Sequence, residues 1–128
     1  LKQFIKHLTV GENEVVLLDM EAGVEHFGRG VDNSVDLILM IVDPSFESLK
    51  LTKKIQQLGD SIGKTVFFVL NKVNELVLPT MLESIDDQSK VLAVISTDTE
   101  IARKGLVGDE LMMEIPEIHM LARKILKQ

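Results

Sequence analysis

The sequence contains no cysteine, no tryptophan and no tyrosine among its 128 residues, and its five aromatic side chains are all phenylalanine. Without cysteine, the chain cannot form a disulfide, a thiolate metal site or a thiol nucleophile. Lys and Arg number 14 against 20 Asp and Glu. This acidic balance argues against non-specific nucleic-acid binding, which requires a surplus of positive charge. We therefore expect an aliphatic core and no nucleic-acid partner.

Long apolar runs are also absent. The longest, such as residues 37–42, are far shorter than the stretch needed to cross a bilayer, and no signal-peptide pattern opens the chain. Hydrophobic residues nevertheless make up 45% of the sequence, which is enough to form a core. The sequence predicts a cytoplasmic protein without a membrane partner, folded as a single domain over residues 1–128.

Four short aliphatic runs alternate with helical patterns along the chain. The runs cover residues 15–18, 37–42, 65–70 and 91–95, and each is followed closely by a polar residue. Such runs are typical of strands buried on both faces, and the segments between the last three runs repeat apolar residues with helical spacing. The alternation predicts an α/β fold in which a mainly parallel sheet of about four strands has helices on both faces.

The first residues already show helical periodicity. Leu1, Phe4, Ile5 and Leu8 recur at the spacing of one helix face, but no capping residue precedes them. We interpret this as a chain that lacks sequence upstream of Leu1.

Polar side chains at the ends of the four runs are the candidate site, because ligands of open parallel sheets bind beyond the carboxyl ends of the strands. Asp43, followed by Pro44, and Ser96, in the cluster Ser96-Thr97-Asp98, are placed to cap the helices that follow them. Asp19 differs, because the glycine-rich segment 20–34 follows it. A carboxylate in this position is suited to holding magnesium through water beside a phosphate.

Asn71 and Lys72 follow the third run and are candidates for contacts with a nucleobase. An asparagine amide offers both a donor and an acceptor, and a lysine stem can lie against a ring face. A guanine site would favour an acid two residues beyond the lysine, where this chain has Asn74, so adenine is favoured. The alternative is that Asn71 is a structural residue in a strand–helix turn.

Residues 15–30 (VVLLDMEAGVEHFGRG), 37–55 and 66–73 (VFFVLNKV) together resemble the CooC-type accessory ATPases that mature nickel carbon monoxide dehydrogenase. These belong to the MinD/NifH-like group of P-loop ATPases. The resemblance implies ATP and magnesium as cofactors and Asp19 as a Walker B-like acid. It also implies that the amide of Gly23 senses the terminal phosphate and that Asn71 recognises adenine. Residues 95–105 resemble the second base-side loop of that group, with Asp98 as its candidate residue.

The phosphate-binding loop of that group is missing. Neither GxxxxGKS nor GxxxxGKT occurs in the sequence. We therefore expect the C-terminal portion of a P-loop ATPase-like domain, without the phosphate-loop strand and without catalytic competence by itself. The exposed strand edges that result predict that the sheet either closes by rearranging or pairs its edges with a second copy, which would make a homo-oligomer. The resemblance also implies a metalloenzyme client. The alternative is a non-catalytic dimerisation or scaffold domain derived from a MinD-like ATPase.

Overall fold

The computed structural model describes residues 10–12, 14–20 and 35–127 of the chain. Within them, strands and helices alternate and every strand pairing is parallel. The elements are β1 (Leu37–Val42), α1 (Phe46–Ser61), β2 (Thr65–Val73), α2 (Leu78–Glu83), a 3-10 turn (Gln88–Lys90), β3 (Val91–Ser96), α3 (Thr99–Val107) and α4 (Pro116–Ile125). The sheet order is β1-β2-β3, so β2 is central. The predicted α/β class and parallel sheet are confirmed.

Apolar side chains on both faces of the sheet are covered by helices. On one face, Val66 and Phe68 of β2 pack in a cluster with Ile55 of α1 and Met81 of α2. On the other face, β2 and β3 contribute to a smaller cluster that includes Leu121 of α4. Because every second residue of a strand points to the same face, a strand covered on both faces must be aliphatic throughout. This explains why the runs at 37–42, 65–70 and 91–95 were recognisable in the sequence.

The first aliphatic run does not form the strand that was predicted. Residues 14–20 contain no strand, and Val15, Val16 and Leu17 are 59%, 44% and 84% exposed. Both sides of the central strand β2 are occupied by β1 and β3, and no described strand pairs with this run. A backbone without such a partner satisfies its hydrogen bonds with water instead. The described sheet therefore has three strands, and the prediction of about four is corrected.

The start of α1 also differs from the prediction. Ser45, not Asp43, is the N-cap, and its Oγ accepts a hydrogen bond from the Ser48 amide at 3.2 Å. Pro44 therefore precedes the helix and does not open it. At the later junction, Ser96 is the last residue of β3, and Asp98 caps α3. The capping roles of Asp43 and Ser96 were wrong, because Ser45 and Asp98 fill those positions, but the predicted capping cluster at residues 96–98 does cap α3 through Asp98.

Several other predictions lie outside the described residues. These are the helix at residues 1–9 and all of the glycine-rich segment except Met20, including Gly23. Among the helices that the structure does describe, none has the length and apolar character needed to cross a membrane.

Candidate nucleotide-base site at the carboxyl edge of the sheet

The parallel arrangement brings the ends of all three strands to one edge of the sheet. β1 and β2 are in register up to the pair Val42 and Leu70, so Asp43 and Asn71 are the next residues on adjacent strands. β3 ends at Ser96, opposite Val73 of β2. The structure therefore places Asp43, Asn71 and the segment 96–98 at the same edge, where open α/β sheets bind ligands.

A bulge in β2 shapes this edge. Between the paired positions 70/94 and 73/96, β2 advances by three residues and β3 by two. The extra residue lies at Asn71–Lys72, and Lys72 has a φ of 55°, the one positive value among the non-glycine residues that the structure describes. In a regular strand, neighbouring side chains point to opposite faces. The bulge changes this direction, and both side chains reach the same partner, which directly follows β1.

That partner is Asp43, whose carboxylate accepts one hydrogen bond from each side chain. Asn71 Nδ2 donates to Oδ1 at 2.8 Å, and Lys72 Nζ donates to Oδ2 at 2.6 Å. The Asp43 backbone amide donates to Ser48 Oγ at 3.1 Å, which ties the end of β1 to the first turn of α1. The three side chains thus form one connected cluster, which we call the Asp43 cluster (Asp43, Asn71 and Lys72).

The charge state of Asp43 follows from these contacts. Partial burial raises the pKa of its carboxyl, but the hydrogen bonds from Lys72 and Asn71 and the positive charge of Lys72 outweigh that effect. The net result is a pKa below its ordinary value. Asp43 is therefore ionised at neutral pH and acts only as a hydrogen-bond acceptor.

Asp98 lies at the start of α3, as an N-cap. Its Oδ1 accepts hydrogen bonds from the amides of Glu100 at 2.8 Å and Ile101 at 2.9 Å. The Thr97 amide donates to the carbonyl oxygen of Val73 at 2.8 Å, so the loop that carries Asp98 is fastened to the residue after the β2 bulge. The structure thus brings Asp98 to the same edge and gives it a structural role there.

A cleft of about 240 Å³ opens beside Asp98, between the end of β3 and the segment that leads into α4. Five of the residues that line it are apolar and five are polar. The lining residues are Ile95, Ser96, Thr97, Asp98, Ile101, Met113, Glu114, Ile115, Pro116 and Glu117. Of the predicted site residues, Asp98 lines this cleft, whereas Asn71 and Lys72 do not.

Asp19, in contrast, does not lie at the end of a strand. Its side chain is exposed, and it takes part in none of the side-chain hydrogen bonds or ion pairs found within the described residues. The described part of the chain also contains no group of three or more His, Asp or Glu side chains that could hold a metal ion. The magnesium role of Asp19 remains a prediction, and Gly23 lies outside the described residues.

The sequence interpretation missed the role of Asp43. A helix-cap pattern was visible locally, in the succession Asp43, Pro44 and Ser45, whereas the contact with Asn71 joins residues 28 positions apart. Aligning the ends of the two aliphatic runs at residues 37–42 and 65–70 would have placed Asp43 beside Asn71. The bulge had no such indication, because the residue with positive φ is a lysine and not a glycine.

The chain is similar in sequence to two proteins named as ATP-binding and to a carbon monoxide dehydrogenase accessory protein. The chain is 46% identical over 118 residues to the uncharacterized ATP-binding protein MJ0084 of Methanocaldococcus jannaschii. The aligned region covers 92% of this chain and 47% of that protein. It is 32% identical over 117 residues to the uncharacterized ATP-binding protein MJ0823 of the same organism, covering 89% of this chain and 46% of the relative. It is also 34% identical over 109 residues to the carbon monoxide dehydrogenase accessory protein CooC of Rhodospirillum rubrum, and this alignment covers 84% of this chain and 41% of the relative.

These similarities support a relationship to CooC-like ATP-binding proteins. The chain spans about half the length of the curated relatives it matches. No family model matches the chain.

Proposed function

We propose that this chain forms the base-binding part of an ATP-binding domain in an accessory ATPase of the CooC type. The observation that carries the proposal is the Asp43 cluster, which presents an oriented asparagine amide at the carboxyl edge of a parallel sheet. The names of two relatives, the ATP-binding proteins MJ0084 and MJ0823, support ATP as the nucleotide.

The chemistry of the edge suits adenine. In the proposed complex, Asn71 Oδ1 accepts a hydrogen bond from the exocyclic amino group, and its second N–H donates to a ring nitrogen beside that group. Guanine has a carbonyl oxygen in place of the amino group, which would face Asn71 Oδ1 unfavourably. The aliphatic stem of Lys72 contributes apolar contact with the ring, and the loop at Asp98 borders the other side of the base.

The residues of the chain fit the phosphate groups of ATP less well than they fit its base. The amides and lysine of a glycine-rich phosphate loop are absent from the sequence, and phosphoryl transfer depends on such groups to position and neutralise the phosphates. We therefore propose that the isolated chain does not hydrolyse ATP at a useful rate. Within a complete domain, Asp19 would hold magnesium through water, and the Gly23 amide would approach the terminal phosphate.

The wider role is proposed by relationship. As the C-terminal portion of a CooC-like ATPase, the chain would serve nickel insertion into a carbon monoxide dehydrogenase client in the cytoplasm. With no cysteine in its sequence, it cannot itself bind nickel through thiolates. A homo-oligomer would follow from the outer edges of β1 and β3, which pair with no other strand in the part of the chain that the structure describes.

The base site is tested by titrating the ¹⁵N-labelled chain with adenosine and guanosine at millimolar concentration and following the amide and side-chain NMR signals. We expect adenosine to shift the signals of Asn71, Thr97 and Asp98, and guanosine to shift them less. Equal shifts with both nucleosides, or shifts confined to other surfaces, would contradict the assignment.

The phosphate end is tested separately by calorimetry with ATP and magnesium. We expect no micromolar binding, because the phosphate loop is absent. A micromolar constant that disappears in the Asp19→Ala variant would overturn this part of the proposal.

A second candidate function is a non-catalytic dimerisation or scaffold domain. It is favoured by the unpaired outer edges of β1 and β3 within the described sheet and by the missing phosphate loop. Sedimentation velocity tests edge pairing, which a monodisperse monomer would contradict. The nucleoside titration distinguishes the two functions, because a dimer without any nucleoside response favours the scaffold. The coding sequence immediately upstream of Leu1 adds a further test, because a glycine-rich loop with lysine there would support the ATPase.

A further inference from the structure

The hydrogen bond between Asn71 and Asp43 determines which way the Asn71 amide faces. An ionised carboxylate can only accept hydrogen bonds, so the Nδ2 side of the amide must point to Asp43. The 2.8 Å distance from Nδ2 to Oδ1 is consistent with this orientation. Oδ1 of Asn71 and one remaining N–H are then left for a ligand.

Asp43 is held in place by other contacts besides its hydrogen bond with Asn71. Asp43 follows β1, and its amide is bonded to Ser48 Oγ, while Lys72 neutralises the second carboxylate oxygen at 2.6 Å. The carboxylate is therefore fixed from three directions, by the backbone, by the lysine and by the asparagine. Polar groups held in this way lose little further freedom when a ligand binds.

We propose that Asp43 is a positioning residue that sets the Asn71 amide for an amino-bearing purine edge and so creates the preference for adenine over guanine. This inference rests on the proposed function, because it assumes that Asn71 contacts the base. Asp43 acts through Asn71 and does not touch the base. With a neutral amide at position 43, either end of the Asn71 side chain would find a partner there, and the orientation would no longer be fixed.

The experiment compares the wild type with Asp43→Asn and Asp43→Glu, using adenosine and guanosine in NMR titrations. Asp86→Asn is the matched control, since Asp86 is an exposed acid paired with Lys53 at 3.7 Å outside the Asp43 cluster. One bidentate amide contact discriminates between bases by about 5- to 150-fold. We expect a wild-type preference of at least about fivefold, a ratio near one in Asp43→Asn, partial preference in Asp43→Glu, and no change in Asp86→Asn.

A second readout is independent of the ligand. The two Nδ2 proton signals of Asn71 should be well separated and slow to exchange with water in the wild type, and they should converge in Asp43→Asn. Circular dichroism of each variant establishes that it is folded before these signals are compared.

The outcomes separate the two proposals. If the wild type prefers adenosine and a folded Asp43→Asn keeps the full preference, the role of Asp43 is overturned while the base site stands. Unchanged Asn71 side-chain signals in Asp43→Asn would overturn the role of Asp43 in the same way. If the wild type binds neither nucleoside at Asn71, both proposals fail.

Discussion

Lys72 offers a direct test of the bulge, because its backbone has a conformation that side chains disfavour. Its φ of 55° lies in the left-handed region, where a Cβ atom crowds the neighbouring carbonyl oxygen. We predict that Lys72→Gly yields a more stable protein than Lys72→Ala. This order is the reverse of what a strand position ordinarily shows.

The magnitude follows from two opposing terms. Relief of the left-handed conformation favours glycine by about 1–2 kcal/mol, whereas the greater freedom of glycine in the unfolded chain disfavours it by roughly 0.5–1 kcal/mol. Both variants lose the Lys72–Asp43 ion pair, so its contribution cancels in the comparison. The expected difference therefore lies between about 0 and 1.5 kcal/mol in favour of glycine. Its central value, about 0.75 kcal/mol, corresponds to roughly 2–4 °C in Tm for a domain of this size.

The assay is urea and thermal unfolding followed by circular dichroism, since the chain has no tryptophan or tyrosine for fluorescence. Thr65→Gly and Thr65→Ala are the matched control pair, at an exposed position of the same strand without positive φ. There we expect alanine to be the more stable by about 0.5–1 kcal/mol. If alanine is also the more stable at position 72, the left-handed bulge is refuted.

Three further predictions concern packing and charge. Gly59→Ala should lower the free energy of unfolding by about 1–3 kcal/mol, because a Cβ there would lie 2.3 Å from a Val66 methyl group. A Cβ at Gly105 meets no atom within 4 Å, so Gly105→Ala should stabilise its helix by up to about 1 kcal/mol. Urea unfolding of both variants checks this contrast. Thr52→Val should cost about 1–3 kcal/mol, since the buried hydroxyl lies 2.8 Å from the carbonyl oxygen just after α2; a cost near zero in the same assay would contradict it. The pKa of Asp43 is lower in the folded state than its ordinary value of 3.8. The ionised carboxylate therefore stabilises the fold at pH values above 3.8, and this stabilisation is lost as the pH falls through the folded pKa. The free energy of unfolding of Asp43→Asn, measured between pH 3 and 7, should accordingly depend less on acid than that of the wild type.

Much of the fold could be predicted from the sequence because burial on both faces of a parallel sheet leaves a local pattern. The runs at 37–42, 65–70 and 91–95 became β1, β2 and β3 with small changes at their ends. The run at 15–18 has the same pattern but is not a strand, since membership of a sheet also requires pairing with a neighbouring strand, and no described strand pairs with this run. That requirement is non-local and is not visible in the run itself.

The site was predicted less completely, for a related reason. Asn71 and Lys72 were identified from their position after a buried run, and Asp98 from the resemblance to the ATPases. Asp43 was assigned as a helix cap because local rules describe only neighbours along the chain. Its actual partners lie on the adjacent strand, and their contact depends on a bulge that no glycine in the sequence indicated.

The location of the bulge explains how the chain maintains a strained backbone at this edge. Val69 and Leu70, which precede it, are completely buried, and Val73, which follows it, is only 4% exposed. Val73 also accepts the hydrogen bond from Thr97, so the strand is anchored on both sides of the strained residue. A left-handed residue persists where its surroundings leave no alternative, and such positions concentrate at ligand sites. The core therefore holds Asn71 and Lys72 against Asp43 before any ligand arrives, which is the condition that selective recognition of a base requires.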